Sequence, residues 1–135
     1  ASHEGEVAGH NILHGNTRAA DHAGMPRVAY TSPRLAAVGL GEEEARAAGL
    51  DFATRFADTS RDFAAAHQGL PCAGHKILVE NGTGRILGAH VLDAHAEETI
   101  AVFGLAIRLG LDASALRRAS FPYPSEAYGI TAMLG

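Results

Sequence analysis

Residues 75–80 (HKILVE) and 85–91 (RILGAHV) are two β-rich runs on either side of Asn81-Gly82-Thr83-Gly84, and this arrangement constrains the fold more than any other feature. Asn-Gly supplies the positive φ angles that a primed turn needs, so the stretch is expected to form a β-hairpin closed at Asn81-Gly82. The strongest helical pattern follows at residues 95–109. There Ala96, Ile100, Phe103, Ala106 and Ile107 form one apolar stripe, and Thr99, Val102, Ala106 and Leu109 form a second beside it. So wide an apolar surface exceeds what a small sheet can cover. The reading is burial on two sides, against the home sheet and against another subunit or domain.

The remaining elements build outward from these. Residues 2–14 read as a short helix, capped by Ser2, with Glu4 and Glu6 near its start and Gly15-Asn16 as its stop. Residues 16–26 are polar, contain Gly24 and Pro26 and lack periodicity, which predicts a linker or arm lying on a surface. Val28 and Tyr30, then Leu35 to Val38, read as extended segments separated by a Ser32-Pro33 turn. Three glutamates open a helix at about residues 42–48, closed by Gly49, and residues 51–59 alternate as a strand. After the long helix, a helical turn at 112–118 and a final helix at 125–134, capped by Ser125, complete the chain. There is no internal repeat and no βαβ alternation. The fold class is therefore α+β: a small antiparallel β-sheet with helices packed on one side.

At 135 residues, with 47% hydrophobic and 19% charged residues, the chain is long and apolar enough for one folded domain. A formal charge of −4 offers phosphates no basic face, so nucleic acid is not an expected partner. Neither a spanning apolar run nor a signal-peptide pattern is visible, so no membrane partner is expected and the cytoplasm is the default location. Starting at Ala1 without an initiator methionine, the sequence reads as a cut from something longer.

Little in the residues themselves points to catalysis. No GxGxxG or GxxxxGK[ST] loop is present among the 16 glycines, and Gly39-Leu40-Gly41 reads as a tight turn rather than an anion cradle. His3, His10 and His14 fall on one helical face, yet no cysteine or carboxylate is placed to complete a zinc or nickel site, so a solvated polar face is the reading and no metal residues are assigned. His95 suits a helix start, and His90 is expected to find a partner near the sheet edge. The lone Cys72, between Pro71 and Gly74, is expected to be a small, buried or half-buried apolar residue. Phe121-Pro122-Tyr123-Pro124-Ser125-Glu126 predicts a stiff turn that fixes the directions of Tyr123 and Glu126.

Together these stretches resemble the C-terminal dimerisation domain of the pyridine nucleotide-disulfide oxidoreductases, the family of glutathione reductase, dihydrolipoyl dehydrogenase and mercuric reductase. The resemblance is carried by Asp21 and Pro26, Val28-Ala29-Tyr30-Thr31-Ser32-Pro33, Ala37-Val38-Gly39-Leu40, Glu43-Glu44-Ala45-Arg46 and Gly49. It continues through Gly74-His75-Lys76-Ile77-Leu78-Val79, Thr83-Gly84-Arg85-Ile86-Leu87-Gly88-Ala89-His90, Ala96-Glu97-Glu98-Thr99-Ile100 and Pro122 to Glu126. It implies that residues 1–15 are the helix ending a flavin-binding domain, 16–26 a linker arm and 27–135 the dimerisation domain. It further implies a homodimer formed through this domain, with FAD and NAD(P)H bound by N-terminal domains outside this chain and no cofactor held here.

In the family a His-Pro-Thr…Glu motif reaches the partner's active site, where the histidine is the acid/base and the glutamate orients it. Here Phe121 occupies the histidine position, Tyr123 stands where threonine is usual, and Glu126 matches the glutamate. Tyr123 as a substrate-facing hydroxyl, with Glu126 as its neighbour, is the candidate catalytic pair. The tyrosine is similar to that of mercuric-reductase-like members, but the sequence ends Met133-Leu134-Gly135 without their cysteine pair, so mercury handling is not expected. Alone, the chain is expected to be inactive. The alternative is a free-standing metal- or ligand-binding module on the same fold.

Overall fold

The computed structural model describes residues 2–135; Ala1, where the 1–15 assignment begins, lies outside the described residues. Five strands form one sheet: β1 (Arg27–Ala29), β2 (Arg34–Gly39), β3 (Phe52–Asp58), β4 (Gly74–Glu80) and β5 (Ile86–Asp93). They are ordered β1-β2-β5-β4-β3, and every pairing is antiparallel. The helices are α1 (Ser2–His14), α2 (Glu42–Ala47), α3 (Phe63–His67), α4 (Ala96–Arg108), α5 (Ala113–Arg117) and α6 (Ile130–Met133), the last preceded by a 3₁₀ turn at Glu126–Gly129. No helix among the described residues is long and apolar enough to cross a membrane.

Strand alternation decides which face is which. Ala36 and Val38 of β2, Ala89 and Val91 of β5, and Ile77 and Val79 of β4 point to one side. There they meet Ala96, Ile100, Phe103 and Ala106 of α4, Ala113 and Leu116 of α5, then Ile130 and Leu134. The main core is therefore one layer of helices on one face of the sheet, as the periodicities predict. On the other face α2 covers only part: Glu42 pairs with Lys76 at 3.6 Å, and Leu78 and Ala45 are fully buried.

Gly88 marks the point where the chain crosses to that second face. It lies opposite both Gly39 and Leu78, and a Cβ there would fall 2.0 Å from the Leu40 carbonyl oxygen. The Leu40 backbone cannot retreat freely, because its N–H donates to Leu87 O at 2.9 Å. Gly88→Ala is expected to cost about 1–3 kcal/mol by overpacking, read as a lower urea midpoint at unchanged slope.

Several local expectations need correction. The hairpin forms, but it closes through residues 81–85, with Gly82 and Gly84 rather than Asn81 at positive φ. Glu80 N–H donates to Arg85 O and Gly84 N–H to Glu80 O, both at 2.9 Å. Asn81 is instead drawn to Asp51, its backbone N–H and side-chain amide donating to that residue's carbonyl and carboxylate. Arg85 and Thr83 both donate to Glu80, and these bonds, Arg85's first, hold its carboxyl below the usual range.

Ser2 is helical and does not precede α1 as a cap. The final helix is split: Ser125 does cap, its hydroxyl accepting from Tyr128 N–H at 3.3 Å, but a 3₁₀ turn comes before α6. The helix α3 has no counterpart in the periodicity reading, because Phe63-Ala-Ala-Ala-His67 is too short to show a repeat. Cys72, expected to be buried or half-buried, is exposed in the loop leading into β4. His90 belongs to the central strand β5, not to the sheet edge; its Nε2 donates to Leu40 O at 3.2 Å, which fixes the tautomer.

Candidate functional site

α4 carries two surfaces. Its inner side is fully buried at Ile100 and Phe103. On its outer side Leu105 and Leu109, one helical turn apart, are 57% and 62% exposed. Val102 lies between them and the core, half-buried. Of the two stripes expected from sequence, the first is on the sheet. The second is divided: Thr99 and Ala106 are buried, whereas Leu109 faces solvent.

The segment 121–129 touches α4 through its 3₁₀ turn. Phe121 is partly buried and packs against the core cluster. Tyr123 projects outward at 78% exposure, and the following peptide bond to Pro124 is cis. Its ring meets Tyr128 edge-on, centroids 5.1 Å apart. Glu126 is half-buried at the first position of the 3₁₀ turn, and among the described residues no hydrogen bond joins it to Tyr123. Tyr123 and Glu126 thus share one short segment without forming a pair. Tyr128, not singled out from sequence, is Tyr123's actual neighbour; the available signal was a second tyrosine just inside the capped turn.

The arm also reaches α4. Gly24 and Gly104 meet so closely that a Cβ on Gly104 would lie 2.7 Å from Gly24 O, and Arg108 holds Ala23 O and Asp21. Along α1 the arm is tied by Asn11, whose side chain accepts from Thr17 and Arg18 N–H and donates to Arg18 O. The three histidines of α1 do different things. His3 Nε2 accepts from Asp21 N–H, while His10 and His14 stack at 4.5 Å. Among the described residues no group of three or more His, Cys, Asp or Glu side chains is placed to hold a metal ion. His75, half-buried on the core face, has its imidazole pushed below the ordinary value by burial, partly offset by Asp62.

The sequence of residues 25–133 matches the family model described as pyridine nucleotide-disulphide oxidoreductase, dimerisation domain. The chain belongs to this family. It is 32% identical over 134 residues to an uncharacterized 19.7 kDa protein in the mercuric resistance operon of Staphylococcus aureus, covering 99% of this chain and 74% of that protein. It is 34% identical over 127 residues to the mercuric reductase of Streptomyces lividans, covering 94% of this chain but 27% of the enzyme. Among solved structures, the HOCl-induced flavoprotein disulfide reductase of Escherichia coli superposes with a TM-score of 0.82 at 26% identity, over 96% of this chain and 30% of that one. The chain thus spans most of one short relative and under a third of these two enzymes. The antiparallel sheet with its helical layer is the dimerisation-domain fold of the family.

Proposed function

We propose that this chain is the homodimer-forming part of an FAD- and NAD(P)H-dependent oxidoreductase, and that the outer side of α4 with the 121–129 segment is its contact surface. The observation that carries this is the paired exposure of Leu105 and Leu109 on a helix whose other side is fully packed. Two leucines left side by side in solvent on one helix face suit a surface that something covers. Both cofactors would be held by domains N-terminal to this one. Residues 1–15 would be the end of the flavin-binding domain and 16–26 the arm joining it to the body, consistent with α1 burying none of its described side chains here. The enzyme would be cytoplasmic.

In the dimer, Tyr123 would present its hydroxyl to the partner's active site, with Glu126 setting the turn that aims it. Phe121 cannot transfer a proton, so acid/base help to redox thiols would come from elsewhere or not be needed. In the complete enzyme, Tyr123→Phe is expected to lower kcat/KM about tenfold or more, the scale of one hydrogen bond lost near the reacting atoms. Glu126→Gln should do less, because the turn's cap at Ser125 remains. Steady-state kinetics at saturating nicotinamide cofactor check both; unchanged turnover in Tyr123→Phe rules out the hydroxyl's role. Alone, the chain should be colourless and dimeric by light scattering.

A further inference from the structure

The 121–134 segment is anchored from an edge of the sheet. Arg55 lies in β3, an edge strand, opposite Ile77 and facing the helical layer. Its Nη1 donates to Leu134 O and Gly135 O, both at 2.5 Å. These backbone oxygens follow α6, a helix of four residues. So short a helix cannot hold itself, and its last carbonyls lack intrahelical donors. A guanidinium suits that place, since its fixed fork of N–H donors meets the negative end of the peptide dipoles.

We propose that Arg55 is a positioning residue for Tyr123 and Tyr128, acting through α6 and the 3₁₀ turn. Ile130 and Leu134, 0% and 2% exposed, seat α6 in the core, and Arg55 stops it from sliding along the sheet. The 3₁₀ turn runs directly into α6, so its Tyr128 takes its place from that helix. Tyr128 in turn meets the Tyr123 ring edge-on. The guanidinium thus fixes the direction of an exposed side chain that it never touches. This deepens, and rests on, the reading of the 121–129 segment as part of the contact surface.

The test is hydrogen exchange by mass spectrometry on the 135-residue chain carrying Arg55→Met or Arg55→Lys, with the near-ultraviolet dichroism of the same samples. With three tyrosines and no tryptophan, that dichroism reports chiefly on Tyr30, Tyr123 and Tyr128. Arg55→Met should speed exchange of residues 126–134 about tenfold or more, weaken the tyrosine band and leave α4 and β5 unchanged. Arg55→Lys, which keeps the charge and single-point donation, should recover part of both signals; if the Met variant does not fold, the Lys variant alone decides. Acceleration confined to β3 and β4, with the tyrosine band intact, would mean that Arg55 merely stabilises an edge strand and would overturn the proposal. A monomeric mass for the unmodified chain would overturn the contact-surface reading and leave the exchange comparison standing.

Discussion

Leu105→Glu combined with Leu109→Glu is expected to convert a dimer of this chain into a monomer without unfolding it. Both leucines are more than half exposed in the single chain, so the carboxylates cost the monomer little. In a two-fold interface each substitution occurs twice. Each lost leucine contact is worth about 1.5–3 kcal/mol, and the buried carboxylates add a desolvation penalty. Even a conservative total of about 4 kcal/mol weakens the dimer ~1,000-fold. Sedimentation equilibrium across a concentration series measures it. Phe56→Glu is the matching control, because Phe56 is 69% exposed on the opposite face of the sheet. If Phe56→Glu dissociates the dimer and the leucine pair does not, the contact surface is the open sheet face and not α4.

Phe103→Ala carries the second large effect, this time on stability. Phe103 is fully buried, the largest such side chain, at the centre of the layer between α4 and strands β2 and β5. Truncation removes apolar burial and leaves a cavity that the antiparallel sheet beneath cannot collapse into, at a cost of about 3–5 kcal/mol. That is a large share of the margin of a domain this size. Urea unfolding at fixed protein concentration reads it, since dimer formation would make apparent stability depend on concentration. Phe103→Leu should cost much less. A loss below about 1 kcal/mol for Phe103→Ala would mean that α4 is held mainly by its ends and not by its central contact.

The elements that sequence reveals best here are those whose signal is local. β-rich runs on either side of a glycine-containing turn marked β4 and β5, alternation marked β3, a 3.6-residue stripe marked α4, and Gly49 marked a helix end. Short pieces escaped the same logic. Five residues of α3 span little more than one turn, so no period is visible, and the exposure of Cys72 depends on which distant segments cover the loop before β4. The hairpin turn failed for a different reason. Asn81 is a good residue for a primed turn, yet Asp51 offers its backbone and side chain better partners, and Gly82 and Gly84 absorb the positive φ angles instead.

The candidate site divides in the same way. That Tyr123 and Glu126 lie near each other in a proline-containing segment, and that Phe121 carries no proton, follows from the residues alone. Which neighbour each one has does not. Tyr123 meets Tyr128 and not Glu126, Phe121 is spent on the core, and Arg55 reaches Leu134 across 79 positions of sequence. Composition and periodicity were enough to point to an antiparallel α+β domain, and the resemblance of its motifs pointed to the family, because those patterns are written in neighbouring residues. The faces of α4, the crossing at Gly88 and the clamp on α6 depend on contacts between distant segments, and such contacts exist only once the sheet has assembled.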